Sequence, residues 1–245
     1  MAHKPKENIL FYPDEMREHK NTQKWEEFFR QGLHPVYSVG AIRKRSSGVV
    51  RVHEGIDIYA ALNTPVVSMF GGQVLFAGNI RNYGKTIIIN TDIGGNDYTI
   101  IYAHLNDILV KTGQQVSQGQ NIGKVGETGI ALRSHNKIPV TEYTGKTITG
   151  PHLHFEIIKN ANIEVTETSI RKWDKNKPKP PDKDFKTTGY YISEKIFQEQ
   201  GFDKWANQDE CKHPLGHTII NPINWVLLKE AEFPVRGNFA PAPHN

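Results

Sequence analysis

Between residues 65 and 125 the chain alternates short apolar runs with polar, glycine-bearing breaks. Val66-Val67-Ser68-Met69, Gln73-Val74-Leu75-Phe76-Ala77, Thr86-Ile87-Ile88-Ile89 and Tyr98-Thr99-Ile100-Ile101-Tyr102 are rich in β-branched and aromatic residues, the composition of strands on a pleated, half-buried surface. Gly94-Gly95-Asn96-Asp97 falls between the last two as a hairpin turn. Short strands at regular spacing, with no helices between them, predict an all-β fold: an antiparallel sheet arranged as a sandwich or groove. A further strand follows Gly150-Pro151. In His152-Leu153-His154-Phe155-Glu156-Ile157 polar and apolar residues alternate strictly. Successive strand side chains point to opposite faces, so both imidazoles and Glu156 share one face while Leu153, Phe155 and Ile157 pack on the other.

The flanks read differently. Residues 1–35 form an N-terminal appendage, in which Trp25, Phe28 and Phe29 after Thr22 mark one short amphipathic helix. Residues 36–226 carry the β pattern, interrupted by polar insertions at about 130–148 and 160–219. The second contains a candidate helix from Ser193 to about Gln200, and residues 227–245 form a frayed tail.

Charge changes this picture in one place. The chain is net +4, and the run from Arg171 to Lys186 holds seven Lys and Arg against three Asp, so the remainder sums to zero. Interleaved with Pro178, Pro180 and Pro181, that run predicts a solvated, extended linker and not a broad face for a nucleic-acid duplex, with contact to an anionic polymer as the sharper alternative. No window approaches the roughly 18 apolar residues of a membrane helix, so no membrane-spanning segment is expected. The start, Met1-Ala2-His3-Lys4-Pro5-Lys6, has no apolar core, so no signal peptide is legible there. Cys211 is the single cysteine and leaves no internal disulfide to form.

The candidate chemistry lies at strand ends. In His53-Glu54-Gly55-Ile56-Asp57 the glycine disfavours a helical pairing of His53 with Asp57; a turn feeding a strand would aim both at one point. His104 closes the apolar strand Ile101-Tyr102-Ala103, and His152 and His154 share their own strand face. Four histidines and one aspartate on separate β-segments are the parts of a catalytic zinc site, which takes three N or O ligands and leaves a fourth position for water. The chain has no His-Glu-x-x-His, so Glu54, Glu127 and Glu156 do not read as a thermolysin-like base. Glu54 is expected on the surface or beside the site, and Glu156 as a partner that fixes a metal-bound imidazole. Cys211-x-His213-x-x-x-His217 looks like part of a structural zinc site but lacks a clear fourth ligand. His135 falls in the first insertion as a loop residue. The glycine-spaced stretch from Val116 to Gly126 has the strand-turn pattern of lipoyl carriers without a lysine to modify.

Taken in order, these motifs resemble the lysostaphin-type (LytM-type) zinc endopeptidases. The matching residues are His53-x-Gly-x-Asp57, Thr64-Pro65-Val66, Tyr102-Ala103-His104-Leu105, Val116-x-x-Gly-Gln-x-Ile-Gly123, Gly126-x-Thr-Gly129, Gly150-Pro-His-Leu-His-Phe-Glu-Ile157 and Asn221-Pro-x-x-Trp225. The resemblance implies the β-sheet groove of that peptidase, built on a duplicated hybrid motif, with Zn2+ held by His53, Asp57 and His154. It implies His104 and His152 as unmetallated catalytic histidines. Of these, His152 is expected as the base and His104 as the stabiliser of the developing oxyanion, and the sequence leaves the reverse assignment open. Peptide stems or bridges of peptidoglycan are the implied partner, outside the cytoplasm, with a monomer expected. A rival reading is a non-catalytic relative that binds the wall or regulates another hydrolase, and a third is a latent enzyme whose open metal position is filled by its own chain. The chain departs from the family in its two insertions, which adjoin the His152/His154 strand, and in Asn63, which stands where a glycine is usual and tolerates left-handed backbone angles.

Overall fold

A computed structural model describes Val39 and residues 42–44, 50–59, 62–129, 151–187 and 210–221. The expected helices near residues 22–32 and 193–200, the first insertion with His135, residues 222–225 of the closing motif and the tail lie outside the described residues.

The architecture is antiparallel β throughout. Strands β1 (Ile42–Lys44) and β2 (Val50–Val52) pair with each other. The main sheet has eight strands. Its spine is β5 (Gly72–Ile80), β6 (Gly84–Ile93) and β7 (Asn96–Leu105), joined as a meander, with β11 (His152–Lys159) beside β7. The other edge of β11 is shared end to end: β3 (Ile56–Tyr59) pairs with its first half and β15 (Thr218–Ile220) with its last. Strand β14 (Glu210–Lys212) pairs with β15, and β9 (Gln115–Val116) closes the far edge on β5. A smaller sheet of β4 (Pro65–Val67), β10 (Asn121–Lys124) and β8 (Asp107–Ile108) packs against this one. The β6–β7 hairpin turns on two residues, Gly94 and Gly95, at φ 62° and 78°, the left-handed angles of the tight hairpin turn matched to strand twist; Asn96 and Asp97 already belong to β7.

The main core lies on one face of the large sheet. Ile56, Ile58, Ile87, Ile89, Ile100, Tyr102, Leu153, Phe155 and Ile157 meet Val66, Ile122 and Val125 there. Full burial of a side chain such as Phe155 contributes about 1.5–3 kcal/mol, and the summed stabilisation holds β11 rigidly in register. A smaller cluster of Ile80, Tyr83, Ile88, Ile101, Ala103, Ile158 and Ile170 covers part of the opposite face.

The basic run departs from expectation. Strands β12 (Ala161–Val165) and β13 (Ile170–Asp174) form a hairpin that lays Ile170 over Ile158 and Ile101. Arg171 and Lys172 therefore sit in a strand, and Lys172 is only 3% exposed. The alternation Ile170, Lys172, Asp174 was masked by the surrounding charges. Lys175, Asn176, Lys177 and Pro178 are exposed, as a solvated linker should be. The six-residue helix α1 (Asp182–Thr187) follows.

Candidate metal centre

Strand register brings the polar residues together. His154 on β11 pairs directly with Asp57 on β3, and Phe155 with Ile56, so His154 and Asp57 share a face. Gly55 lets β3 approach that closely: a Cβ there would lie 2.4 Å from the Phe155 carbonyl oxygen. His53, just ahead of this turn, folds back over the pair. All three side chains are buried.

Their donor atoms form a tight triangle. His53 Nε2 lies 3.1 Å from Asp57 Oδ1 and 3.0 Å from His154 Nδ1, and His154 Nδ1 lies 2.9 Å from Asp57 Oδ1. This is the one group of three or more ligating side chains drawn together among the described residues. At its other nitrogen, His154 Nε2 donates to Glu156 Oε1 at 2.7 Å, which leaves Nδ1 with a lone pair for the triangle. Burial works against a charge on His154, but Asp57 and Glu156 outweigh it and raise its pKa above the ordinary value. The electrostatics at Nδ1 therefore favour a positive charge. A tetrahedral ion with N and O bonds of about 2.0–2.2 Å holds its ligand atoms roughly 3.3 Å apart. The triangle is within a few tenths of an ångström of that, so these residues fit a divalent ion.

Glu156 is held from three sides. It accepts from His154, from the Tyr83 hydroxyl at 3.2 Å and from Lys172 Nζ at 2.5 Å. Lys172 also donates to Glu54. Burial alone would raise the Glu156 pKa, but the Lys172 charge, with His154, carries it far below the usual carboxylate range. Glu156 thus stays an acceptor and locks the His154 tautomer, the arrangement commonly found behind metal-bound imidazoles. Glu54, expected at the surface or beside the site, is this lysine's second partner. Lys172 and Tyr83 were not read from sequence as parts of the site. The only sign of Lys172 was its strand parity with Ile170, and Tyr83 gave none.

His104 and His152 complete the cluster. Their ring centroids are 4.9 Å apart, and His104 is 5.8 Å from His154. His152 Nε2 stands 3.9 Å from Asp57 Oδ1. His104 occupies a left-handed backbone angle, φ 61°, unusual for a residue with a side chain. Its amide donates to the Tyr83 carbonyl at 2.8 Å and its Nδ1 donates to the Thr128 carbonyl at 2.8 Å. A carbonyl only accepts, so Nδ1 carries the proton and Nε2 is bare in the neutral ring. Burial, then the neighbouring imidazoles of His152 and His154, hold the His104 pKa well below its ordinary value. As a neutral ring it offers an acceptor at Nε2. Asn63 takes φ 70°, as expected of that position.

Residues 51–165 match the model of peptidase family M23. They form an M23 peptidase domain. Among its relatives, peptidoglycan DD-endopeptidase ShyA of Vibrio cholerae serotype O1 is 38% identical over 109 residues, 44% of this chain and 21% of that protein. Murein hydrolase activator NlpD of Escherichia coli K12 is 37% identical over 98 residues, 39% of this chain and 24% of that one. The matched stretch therefore spans about a fifth to a quarter of these curated relatives. Lysostaphin from Staphylococcus simulans aligns at 26% identity over 55% of this chain and 47% of its own, with a TM-score of 0.35. The M23 match ends at Val165, so Lys172, His213 and His217 come from beyond it. No helix among the described residues is long and apolar enough to cross a membrane.

Proposed function

We propose that this chain is a zinc-dependent endopeptidase that hydrolyses peptide cross-links of bacterial peptidoglycan outside the cytoplasm. The observation that carries the reading is the buried triangle of His53, Asp57 and His154, 2.9–3.1 Å on a side, with two further imidazoles beside it. His53 Nε2, Asp57 Oδ1 and His154 Nδ1 would hold Zn2+. When bound, zinc supplies a water whose pKa is near 7 and polarises a carbonyl.

The chain's own residues move the protons and hold the geometry. His104, neutral with Nε2 bare, accepts a proton from the attacking water while the Thr128 carbonyl fixes its ring. The imidazolium so formed returns the proton to the leaving amine. His152, on the same strand face as His154, faces the reacting carbonyl and donates to its developing charge. Glu156, Tyr83 and Lys172 keep His154 in one tautomer through the cycle. General acid–base groups of this kind contribute about 10²–10⁴-fold in rate.

A second reading follows from the similarity to NlpD, named a murein hydrolase activator: a wall-binding activator that cuts nothing. The presence of all three ligands and both further histidines favours the enzyme. The test is metal content of the purified chain, followed by release of new amino groups from sacculi with and without a chelator. Chelator-sensitive release that His152→Ala abolishes without loss of metal supports the peptidase. Stoichiometric metal with no release, together with stimulation of a separate hydrolase, would establish the activator.

A further inference from the structure

Behind the metal centre lies a cavity of about 430 Å³ that the catalytic scheme does not use. Glu54, Ser169, Arg171, Lys172, His213 and His217 are among its walls. Apart from Glu54, these residues come from the second half of the β12–β13 hairpin and from the β14–β15 return, beyond residue 165 where the M23 match stops. The cavity communicates with the metal centre through one side chain, since Lys172 bonds both Glu54 in its wall and Glu156 behind His154.

Its two histidines differ. His213 is built into the β14–β15 turn: its Nδ1 accepts the Leu215 amide at 3.1 Å, so Nε2 bears the ring proton and faces Glu54 Oε1 at 3.6 Å. The Leu215 amide engages Nδ1, and Cys211, His213 and His217 are not drawn together as a ligand group among the described residues. His217 stacks on His213 at 4.2 Å between ring centroids. It is 2% exposed, and neither of its ring nitrogens has a hydrogen-bond partner among the described residues. Buried polar atoms are normally paired. An imidazole with both nitrogens unpaired, lining a cavity of this size, offers one donor and one acceptor to a polar ligand.

The geometry points to this cavity as a pocket for a carboxylate of the wall peptide, accepted by the His217 N–H beside the Lys172 ammonium. Burial, then His213, Lys172 and Lys212, hold the His217 pKa well below that of a free imidazole, so the ring is neutral. The lining also holds three carboxylates, of which Glu54 is bound by Lys172, Asp182 is bound by Arg171 and Glu167 is exposed. The ligand class rests on the peptidase reading: wall peptides carry free carboxylates close to the cross-link, and a pocket joined to the metal centre can select among them.

The test uses the full zinc-loaded chain with His152→Ala, so that a bound peptide survives, and titration calorimetry with a soluble wall tetrapeptide ending in D-Ala. The free acid should bind at least about tenfold more tightly than the fully amidated peptide, the worth of one charge-assisted hydrogen bond. His217→Phe, which keeps the stack on His213, should erase that preference at unchanged metal content. His217→Asn, which keeps a donor and an acceptor, should retain most of it. Equal binding of acid and amide by the unsubstituted pocket would overturn the assignment even if His217→Phe failed to fold, as would undiminished preference in a folded His217→Phe. The two readings fail separately: acid-selective binding with no release of amino groups from sacculi by the wild-type chain would retain the pocket and remove the peptidase.

Discussion

Replacing Lys172 by Met removes the cation that separates two carboxylates while nearly preserving the side chain's length. The lysine is 3% exposed and Glu156 is 1% exposed, so the Nζ to Oε2 contact of 2.5 Å is a buried pair. Breaking such a pair by deleting one partner leaves an uncompensated buried charge and costs about 3–5 kcal/mol, a large share of the roughly 5–15 kcal/mol that stabilises a domain. A second loss falls on the metal: disturbing the group that orients a ligating imidazole lowers affinity about 10–100-fold. Denaturant unfolding of the apo chain measures the first, and zinc competition against a chromogenic chelator the second. Lys172→Arg should keep most of both. Adding Glu156→Gln to Lys172→Met should recover part of the stability, because the orphaned charge is gone. A Lys172→Met chain with wild-type unfolding midpoint and wild-type zinc affinity would refute the network described here.

Asp57→Asn and His154→Ala should each abolish stoichiometric zinc, whereas His104→Ala should keep the metal and lose about 10²–10⁴-fold in turnover; elemental analysis beside an amine-release assay separates the two classes. Gly55→Ala inserts a Cβ 2.4 Å from the Phe155 carbonyl oxygen, so β3 must move away from β11; stability should fall by about 1–3 kcal/mol and zinc affinity with it. His217 is held neutral in the fold but takes up a proton near pH 6.5 once unfolded. Its contribution is therefore complete above about pH 6.5, and below that the unfolded state binds the extra proton, costing roughly 1.4 kcal/mol per pH unit until the folded pKa is reached. Unfolding of wild type and His217→Phe between pH 5 and 7.5 should show a shallower acid slope in the variant; identical slopes would exclude the effect.

The strands and the sharing of faces among the polar side chains were legible because both rest on local rules; which of those side chains would hold an ion came only from the resemblance. Period-two alternation put His152, His154 and Glu156 on one face, and a glycine at position 55 forced a turn between His53 and Asp57. What stayed hidden depends on partners distant in sequence. Lys172 lies inside a run whose charge and prolines read as linker, and only the apolar partners of Ile170 reveal that the run begins as a strand. The tautomer of His104 is set by the carbonyl of Thr128, and a backbone carbonyl leaves no trace in sequence. His213 and His217 have the spacing of metal ligands, and among the described residues the fold does not draw them into a ligand group with Cys211.

Sharing one flank of β11 between β3 and β15 has a practical cost for anyone trimming this protein. A fragment ending at Val165, where the M23 match ends, would leave Ile157, Ile158 and Lys159 without the strand that Thr218, Ile219 and Ile220 provide. Unpaired amides on so apolar a segment are a template for a neighbouring molecule, so the shortened chain should self-associate. During synthesis the same seam stays open until residue 220 has left the ribosome, about sixty residues after the strand that carries the histidines.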